Sequence, residues 1–532
     1  MKKGKKFFIE AIIVALVLAG IYYYVELPAV NIHASGFWWF LIGILVVILV
    51  VIMLRTKIKT RQELKESKAL TIGVWAVLAV IVVFLVGSIL SSPIVNAKKY
   101  QQLLTVENRD FAEDIKEVNY NQIPLLDKDS AEILGNRKMG SMVDMVSQFE
   151  VSSLYSQINY NGKPVRVTPL VYASPIKWFT NQSEGIPAYI MIDMTTQDTQ
   201  LVKLDEGIKY SQSEYLNRNI NRHLRFSYPT YIFDQLSFEI NDEGVPYWVC
   251  PVKKFTIGLF GGETIGRVIL CNAVTGETTD YAIEDCPEWV DRAYPADLLI
   301  EQYDYHGELV NGFFNSVLGQ KGCLHTTDGY NYIAMDDDVW VYTGITSVSG
   351  DRSNVGFVLM NQRTQETRYY EVNGAEEYSA MDSAKGQVQN LGYEATFPLL
   401  INIANEPTYF MALKDAAGLV KKYAMVNIKT YQNVAIGDTV AACEKAYVAM
   451  LSENGVSTSE GGVTKTITGN IEKIAQSVID GNSHFYLTLA GSKLIFDVPI
   501  VDYLNVITFD VGDEVTIEYM EGEEVTTVLN VK

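Results

Sequence analysis

The stretch Val268-Ile269-Leu270-Cys271-Asn272-Ala273-Val274-Thr275-Gly276-Glu277 decides how most of this 532-residue chain is built. An apolar, β-branched run ends in Asn; two residues, a Thr and a polar pair come before a second strand-like run, Thr278–Ile283. An Asn or Asp at the end of a strand bonds the backbone two residues on, and Thr or Gly completes the reversal. The signature recurs in Tyr189-Ile190-Met191-Ile192-Asp193 with Thr196, in Phe357-Val358-Leu359-Met360-Asn361 with Thr364, and in Ala424-Met425-Val426-Asn427 with Thr430. The four Asn/Asp positions are 79, 89 and 66 residues apart, too irregular for a solenoid with a fixed repeat.

Working outward, each copy has an earlier strand to pair with, such as Pro407–Leu413 before Leu419–Ile428 and Val339–Ser347 before Gly356–Met360. Helical stretches accompany them at Ser213–His223, Glu288–Tyr305, Glu376–Asn390 and Val440–Leu451. The expected architecture over 151–451 is therefore a tandem of α+β modules, each a helix on one face of a small antiparallel sheet. These units resemble PepSY modules, in which a strand ends in a V-D-x-x-T-G-E turn; Asn272-Ala273-Val274-Thr275-Gly276-Glu277 is the nearest match. The wider stretch from Ile123 to Val440 is similar to a family of uncharacterised bacterial multi-pass membrane proteins. Segments carrying that likeness include Lys177-Trp178-Phe179, Glu288-Trp289-Val290-Asp291-Arg292 and Ala375-Glu376-Glu377-Tyr378. The resemblance implies an envelope role, with PepSY modules associated with restraining peptidases.

Upstream, Phe7–Leu27, Phe37–Leu54 and Leu70–Leu90 are apolar runs of 18 to 21 residues. A hydrocarbon core of roughly 30 Å needs about 20 helical residues. Residues 1–95 thus read as an anchor of three transmembrane helices in a lipid bilayer. Lys2, Lys3, Lys5 and Lys6 precede the first run, and six Lys/Arg lie between the second and third, whereas the first loop has none. Basic loops remain cytoplasmic, which places the N-terminus inside and everything after about residue 95 outside. Lys98 and Lys99 run against this scheme. Glu10 lies one turn from the basic end, where a carboxylate is able to snorkel toward Lys5 or Lys6.

The anchor carries a formal charge of +6 and the remainder −26. That acidity argues against nucleic acid, whose phosphates need cations. Residues 96–150 read as a membrane-proximal helical stalk, with Val106–Val118 and Ser130–Leu134 as candidate helices. Residues 452–462 form a polar linker. Five short strands occupy 463–532, the pattern of a small OB-like or SH3-like β-barrel.

Catalytic signatures are sparse. His306-Gly307 with Gly322-Cys323 downstream resembles the H-G and S-x-G-C-x-R elements of cysteine L,D-transpeptidases. Gln320, however, replaces the serine and His325 the arginine. Asp328 is the nearby acid. Asp336-Asp337-Asp338 lacks the spaced ligands of a calcium loop and reads as a solvated turn. Gly258–Gly266 lacks the Lys-Ser/Thr ending of a phosphate loop and reads as a hairpin tip. His33, His223 and His484 are isolated and read as structural. Cys250, Cys271, Cys286, Cys323 and Cys443 match no metal or disulfide framework, although Cys250 and Cys271 flank one hairpin. No catalytic, cofactor or metal residues are expected. The expected function is a non-enzymatic, membrane-anchored envelope protein presenting a scaffold to protein or peptide partners, with sheet edges available to an extended peptide. The alternatives are an extracytoplasmic transpeptidase or hydrolase using Cys323 and His306, and a membrane assembly scaffold.

Overall fold

Helices α1 (Lys2–Glu26), α2 (Ser35–Thr56) and α3 (Lys68–Ser91) pack in sequence order, α1 on α2 and α2 on α3. The computed structural model describes residues 2–56, 67–116, 126–335, 337–347, 353–453, 465–479, 482–500, 503–520 and 526–531. Two stretches, Ser35–Leu54 and Leu70–Ser91, have mean hydropathies of 3.1 and 2.8 and are long enough to cross a bilayer. Trp75, Leu85 and Ile89 of α3 are exposed on the protein surface, as on a helix that is apolar all round. In α1 the described apolar portion is the shorter Ile12–Glu26; the side chains of residues 2–11, Glu10 included, lie outside the description. Pro93 stops α3: Ser92 is extended at ψ 159°, and Pro93 opens α4 (Pro93–Gln101) at its first turn.

The chain divides into two units, Met1–Asp110 with Pro124–Glu376, and Phe111–Ile123 with Glu377–Lys532. Beyond α4 the candidate helix Val106–Val118 begins instead as a strand, and residues 117 and 118 lie outside the described residues. Val106–Arg109 is a strand, β1, paired in parallel with Thr367–Tyr370. Val106-Glu107-Asn108-Arg109 has little apolar surface to bury as a helix, and an open sheet edge satisfies its backbone instead. A four-residue helix, α5 (Phe111–Asp114), belongs to the second unit. Helix α6 (Lys128–Gly140) contains the expected Ser130–Leu134; Asp127 caps it by accepting from Ser130 N–H at 3.0 Å.

The first sheet comprises β2 (Phe149–Val151), β3 (Ser156–Tyr160), β4 (Lys163–Tyr172), β5 (Ile186–Asp193) and β6 (Thr199–Ile208), with α7 (Pro175–Asn181) between β4 and β5. After α8 (Ile220–Ser227), the second sheet runs in order β10-β9-β8-β7: β7 (Ser237–Ile240), β8 (Pro246–Ile257), β9 (Gly261–Asn272) and β10 (Thr278–Ala282). Helix α9 (Ala296–Glu308) precedes the third sheet, built from β11 (Leu324–Thr326), β12 (Asn331–Met335), β13 (Asp338–Ser347), β14 (Ser353–Asn361), β15 (Thr367–Tyr370) and β16 (Gly374–Ala375), with β1 on the edge of β15. The fourth, in the second unit, has α10 (Glu377–Gln387), β17 (Glu394–Ala395), β18 (Leu399–Ile403), β19 (Glu406–Lys414), β20 (Val420–Asn427), β21 (Val434–Gly437) and α11 (Val440–Glu453). In the first, third and fourth sheets two short strands share the outer edge of the first long hairpin strand: β2 and β3 on β4, β11 and β12 on β13, β17 and β18 on β19.

The repeated turn is the same hydrogen-bonded object in three copies. Oδ1 of Asp193, Asn272 and Asn361 accepts from the N–H groups two and three residues on, at 2.8–3.0 Å. Thr196, Thr275 and Thr364 then accept through Oγ1 from the N–H two residues further. The next residue takes positive φ: 61° at Gln197, 77° at Gly276 and 67° at Gln365. Glycine adopts that conformation without strain, so the Gly276 copy is the relaxed one. In the fourth copy Asn427 Oδ1 accepts from Thr430 N–H, but an extra residue delays reversal to Asn433, whose O accepts from Asn427 N–H.

The first three modules do not stand as separate beads. Trp248, Cys250, Val252, Ile269 and Cys271 of the second sheet share a core with Ile158, Val167, Ile190 and Ile192 of the first. Val249, Val268 and Leu270, on the opposite face, share another with α9 (Leu298, Leu299, Tyr303) and with Val341, Val358 and Met360 of the third. Side chains alternate across a strand, so continuous apolar runs such as Val268–Cys271 supply both faces. The expectation of one helix on one face of each sheet is corrected here. In the second unit α11 packs on β20 and β21, and Tyr447 Oη lies 2.8 Å from Thr408 Oγ1.

The last module is all-β: β22 (Lys465–Ile479), β23 (Asn482–Leu489), β24 (Ile495–Pro499), β25 (Glu514–Met520) and β26 (Thr526–Val531). Long β22 pairs with β25 through Lys465–Asn470 and with β23 from Ile471 onward; β24 joins β23, and β26 joins β24 and β25. Leu487, Phe496, Val498, Val515 and Ile517 fill its centre. Of the expected linker, Ser452 and Glu453 close α11, and 454–462 lie outside the described residues.

Asn361 is 1 % exposed, and its Nδ2 also donates to Asp338 Oδ2 at 2.7 Å. Asn361→Ala should cost about 1–3 kcal/mol, because two turn N–H groups and a buried carboxylate each lose a partner. Asn272→Ala, at a more open turn, should cost less; urea titrations of both variants check the order.

Candidate functional site

Cys323 and His306 come near one another in sequence but not in hydrogen bonding. Cys323 is 1 % exposed; its Sγ donates to Glu308 O at 3.2 Å and accepts from Asn315 Nδ2 at 3.3 Å. His306 Nδ1 faces Gln101 O at 3.1 Å, and its ring lies 6.1 Å from that of Tyr303. Burial, then the Glu308 carboxylate, raises the Cys323 thiol above its ordinary value, whereas a nucleophile needs the thiolate. His325 Nδ1 lies 4.0 Å from Glu308 Oε1, and Asp328 is exposed. All five cysteines are free and buried. Cys250 stands opposite Ile269 and Cys271 opposite Trp248, so the two thiols are diagonal neighbours in one core rather than a bridge.

In the acidic triplet Asp337 is an exposed turn residue, as expected, but Asp338 departs from the solvated reading. Asp338 is buried and accepts from Arg363 Nε at 2.6 Å and Nη2 at 2.9 Å. Asp337 Oδ1 accepts from Asn159 Nδ2 at 2.9 Å, and Asp336 lies outside the described residues. Among the described residues, no three His, Cys, Asp or Glu side chains gather as metal ligands would.

Two buried carboxylates were missed from the sequence. Glu239, fully buried in β7, accepts from Ser237 Oγ at 2.7 Å and from Asp291 N–H at 3.0 Å. Asp291, 1 % exposed, accepts from Asn159 N–H at 2.7 Å through Oδ2, while its Oδ1 has no hydrogen-bond partner among the described residues. Burial, then the Glu239 charge, drives the Asp291 carboxyl well above the ordinary range. Burial raises Glu239 too, against its hydrogen bonds. The arrangement ties the first sheet to the second and to the segment before α9. Its only sequence signal was a Glu inside the apolar run Phe238–Ile240.

The most extensive set of specific contacts lies where the sheets meet the helices. The β8–β9 hairpin ends in Gly258-Leu259-Phe260-Gly261, the expected tip, and this tip is seated on α3. Ser91 Oγ accepts from Leu259 N–H at 2.8 Å and Phe260 N–H at 3.1 Å while donating to Gly87 O at 2.6 Å. Gly258 has φ 63°, and a Cβ there would collide with Ser91 Oγ. Phe260 packs on Phe84 and Trp38, with ring centres 5.2 and 6.2 Å away. His33, in the loop between α1 and α2, turns Nδ1 to Leu259 O at 2.7 Å and stacks on Phe255 at 5.8 Å.

Helix α8 holds the end of α1 from the other side. Asn219 Oδ1 caps it through Arg222 N–H. Arg222 Nε donates to Tyr24 O at 3.2 Å, with the guanidinium 4.3 Å above the Tyr24 ring. Arg225 is 8 % exposed and donates from Nε to Leu27 O at 2.9 Å and from Nη1 to Tyr231 O at 2.6 Å. Val30 N–H reaches Pro229 O at 2.8 Å, and Asn31 Nδ2 reaches Thr230 O at 2.9 Å. Guanidinium forks suit clusters of backbone carbonyls better than a single ammonium does. The sequence did carry a flag here: an apolar Leu259-Phe260 pair at a hairpin tip, where polar residues are usual. No protein-family model and no curated protein matches the sequence.

These geometries set two measurable outcomes. A carboxyl whose value is raised by folding binds more protons folded than unfolded, so its stabilising contribution fades as pH climbs from the ordinary aspartate range through the raised value. Asp291→Asn should therefore be more stable than the parent at neutral pH, with the gap closing toward about pH 4; a gap independent of pH would exclude Asp291 as the titrating group. Ser91→Ala strands two N–H groups at a cost of about 1–3 kcal/mol, and hydrogen exchange should accelerate at Leu259 and Phe260 but not in β13 or β14.

Proposed function

We propose that this chain is a membrane-anchored bacterial envelope protein without catalytic activity. In this reading three N-terminal helices cross the cell membrane, the N-terminus is cytoplasmic, and the part after about residue 95 stands outside as a scaffold for protein or peptide partners. The observation that carries it is the sidedness of the docking contacts. Tyr24 and Leu27 at the end of α1 meet α8, while His33 in the loop after it, Trp38 at the start of α2, and Phe84, Gly87 and Ser91 at the end of α3 meet the β8–β9 hairpin. Lys2–Lys6 lie at the opposite end of α1, Arg55 at that of α2 and Lys68 at that of α3. Charge and packing therefore favour one topology.

The PepSY likeness and the OB- or SH3-like character of the last module belong to this proposal; the repeated Asx turn and the cyclic strand pairing support them. Partner capture at a sheet edge is supported unevenly, because β1 already occupies the edge of β15. Chemistry at Cys323 and His306 finds no support in their hydrogen bonds.

Topology is tested with single added cysteines, since the native five are buried. A membrane-impermeant maleimide should label Val143→Cys, at an 81 % exposed position, in intact cells after the wall is opened, and Thr60→Cys only after permeabilisation. The reverse pattern would overturn the proposal.

A further inference from the structure

We propose that the turn Leu309–Lys321, together with the first turn of α4, forms a lipid-inserting foot that rests in the outer, anionic leaflet beside α3. The inference rests on the membrane reading above and adds a second, interfacial contact with lipid. Its first support is apolar exposure. Phe314, Val317 and Leu318 are 71, 58 and 80 % exposed, and Val310 is 50 % exposed. Ile94 and Val95 at the start of α4 are exposed as well.

These side chains are displayed, not left loose. Leu309 and Phe313 pack inward on Tyr100, Ile257 and Tyr305. Residues Asn315–Gly319 form a single π-type turn closed by Gln320 N–H on Asn315 O. Asn315 Nδ2 donates to Lys321 O at 3.0 Å and to Cys323 Sγ at 3.3 Å, and Asn311 Nδ2 donates to Lys321 O at 2.9 Å. An inserted turn of this kind, which is uncommon, is often placed at functional positions.

Position supplies the occupant. Tyr100 Oη donates to Ser91 O at 2.6 Å, so the platform under the turn is bonded to the last residue of α3. The seated hairpin tip meets the same residue. The turn is thereby continuous with the end of an apolar helix long enough to cross a bilayer.

Charge points the same way. The part after residue 95 is acidic, yet Leu309–Lys321 holds no Asp or Glu, and neither does Ser91–Leu104. Their cations are Lys321, Lys98 and Lys99, all exposed. The lysine pair that ran against the loop-charge rule thus acquires a place at headgroup level, where ammonium groups pair with lipid phosphate while their stems lie along the apolar surface. Glu308, the flanking acid, faces His325 instead.

The test uses the full chain in phosphatidylcholine–phosphatidylglycerol vesicles, with an environment-sensitive nitrobenzoxadiazole label on one added cysteine. Labels go on Leu318→Cys, on Leu85→Cys within α3, and on Val143→Cys as an exposed control away from the turn; nitroxide-bearing acyl chains serve as quencher. Expected is quenching at 318 several-fold above that at 143, falling when Lys98, Lys99 and Lys321 are changed together to Glu. Quenching at 85 without quenching at 318 would overturn the foot and leave the anchor standing. Loss at both positions would remove the membrane reading as well. A blue-shifted but unquenched label at 318 would assign the patch to a protein partner and defeat the proposal.

Discussion

The β8–β9 hairpin is the constraint on which the first unit depends. Its two twelve-residue strands place Trp248 and Cys250 in one core and Val249 and Val268 in the other, and its tip sits on Ser91. One hairpin thereby links the first sheet, the third sheet and α3. Interiors are close-packed and transmit strain. A displacement of α3 relative to α1 and α2 would act directly on both cores, because no flexible tether intervenes at Gly258–Gly261.

Polar groups hold this arrangement in register where apolar packing alone would allow sliding. Arg222 and Arg225 satisfy carbonyls at the end of α1, and Asp291 and Glu239 join backbone groups from different sheets. Unmade hydrogen bonds at buried sites are costly, so such links select one geometry. The Oδ1 of Asp291, without a hydrogen-bond partner among the described residues, marks where this network carries a residual penalty.

Local chemistry was legible in the sequence and tertiary chemistry was not. The Asn/Asp-x-x-Thr turns are decided locally, and the pattern placed all four, although the extra residue before the return at Asn433 was not foreseen. The apolar runs of α2 and α3 were legible for the same reason, since hydropathy is a local sum. What sheet packs on what was hidden: continuous runs such as Val268–Cys271 indicate two buried faces without naming the partners. Val106–Arg109 was misread as helix because its strand character comes from β15, far away in sequence. The role of Ser91 is set by a hairpin tip 168 residues away in sequence, and only the folded chain shows it receiving that tip. Asp338 looked solvated because its Arg363 partner lies on the other side of β14.

The parallel pairing of β1 with β15 bears on how the molecule is made. Val106 meets Thr367 across a sequence separation of 261 residues, so the leading strand emerges long before its mate exists. Closing so long a loop adds entropic cost only slowly with length, but it delays the pairing until the whole intervening region has been synthesised. Until then β1 must wait as an unpaired edge, and sealing of the third sheet is a late step of folding.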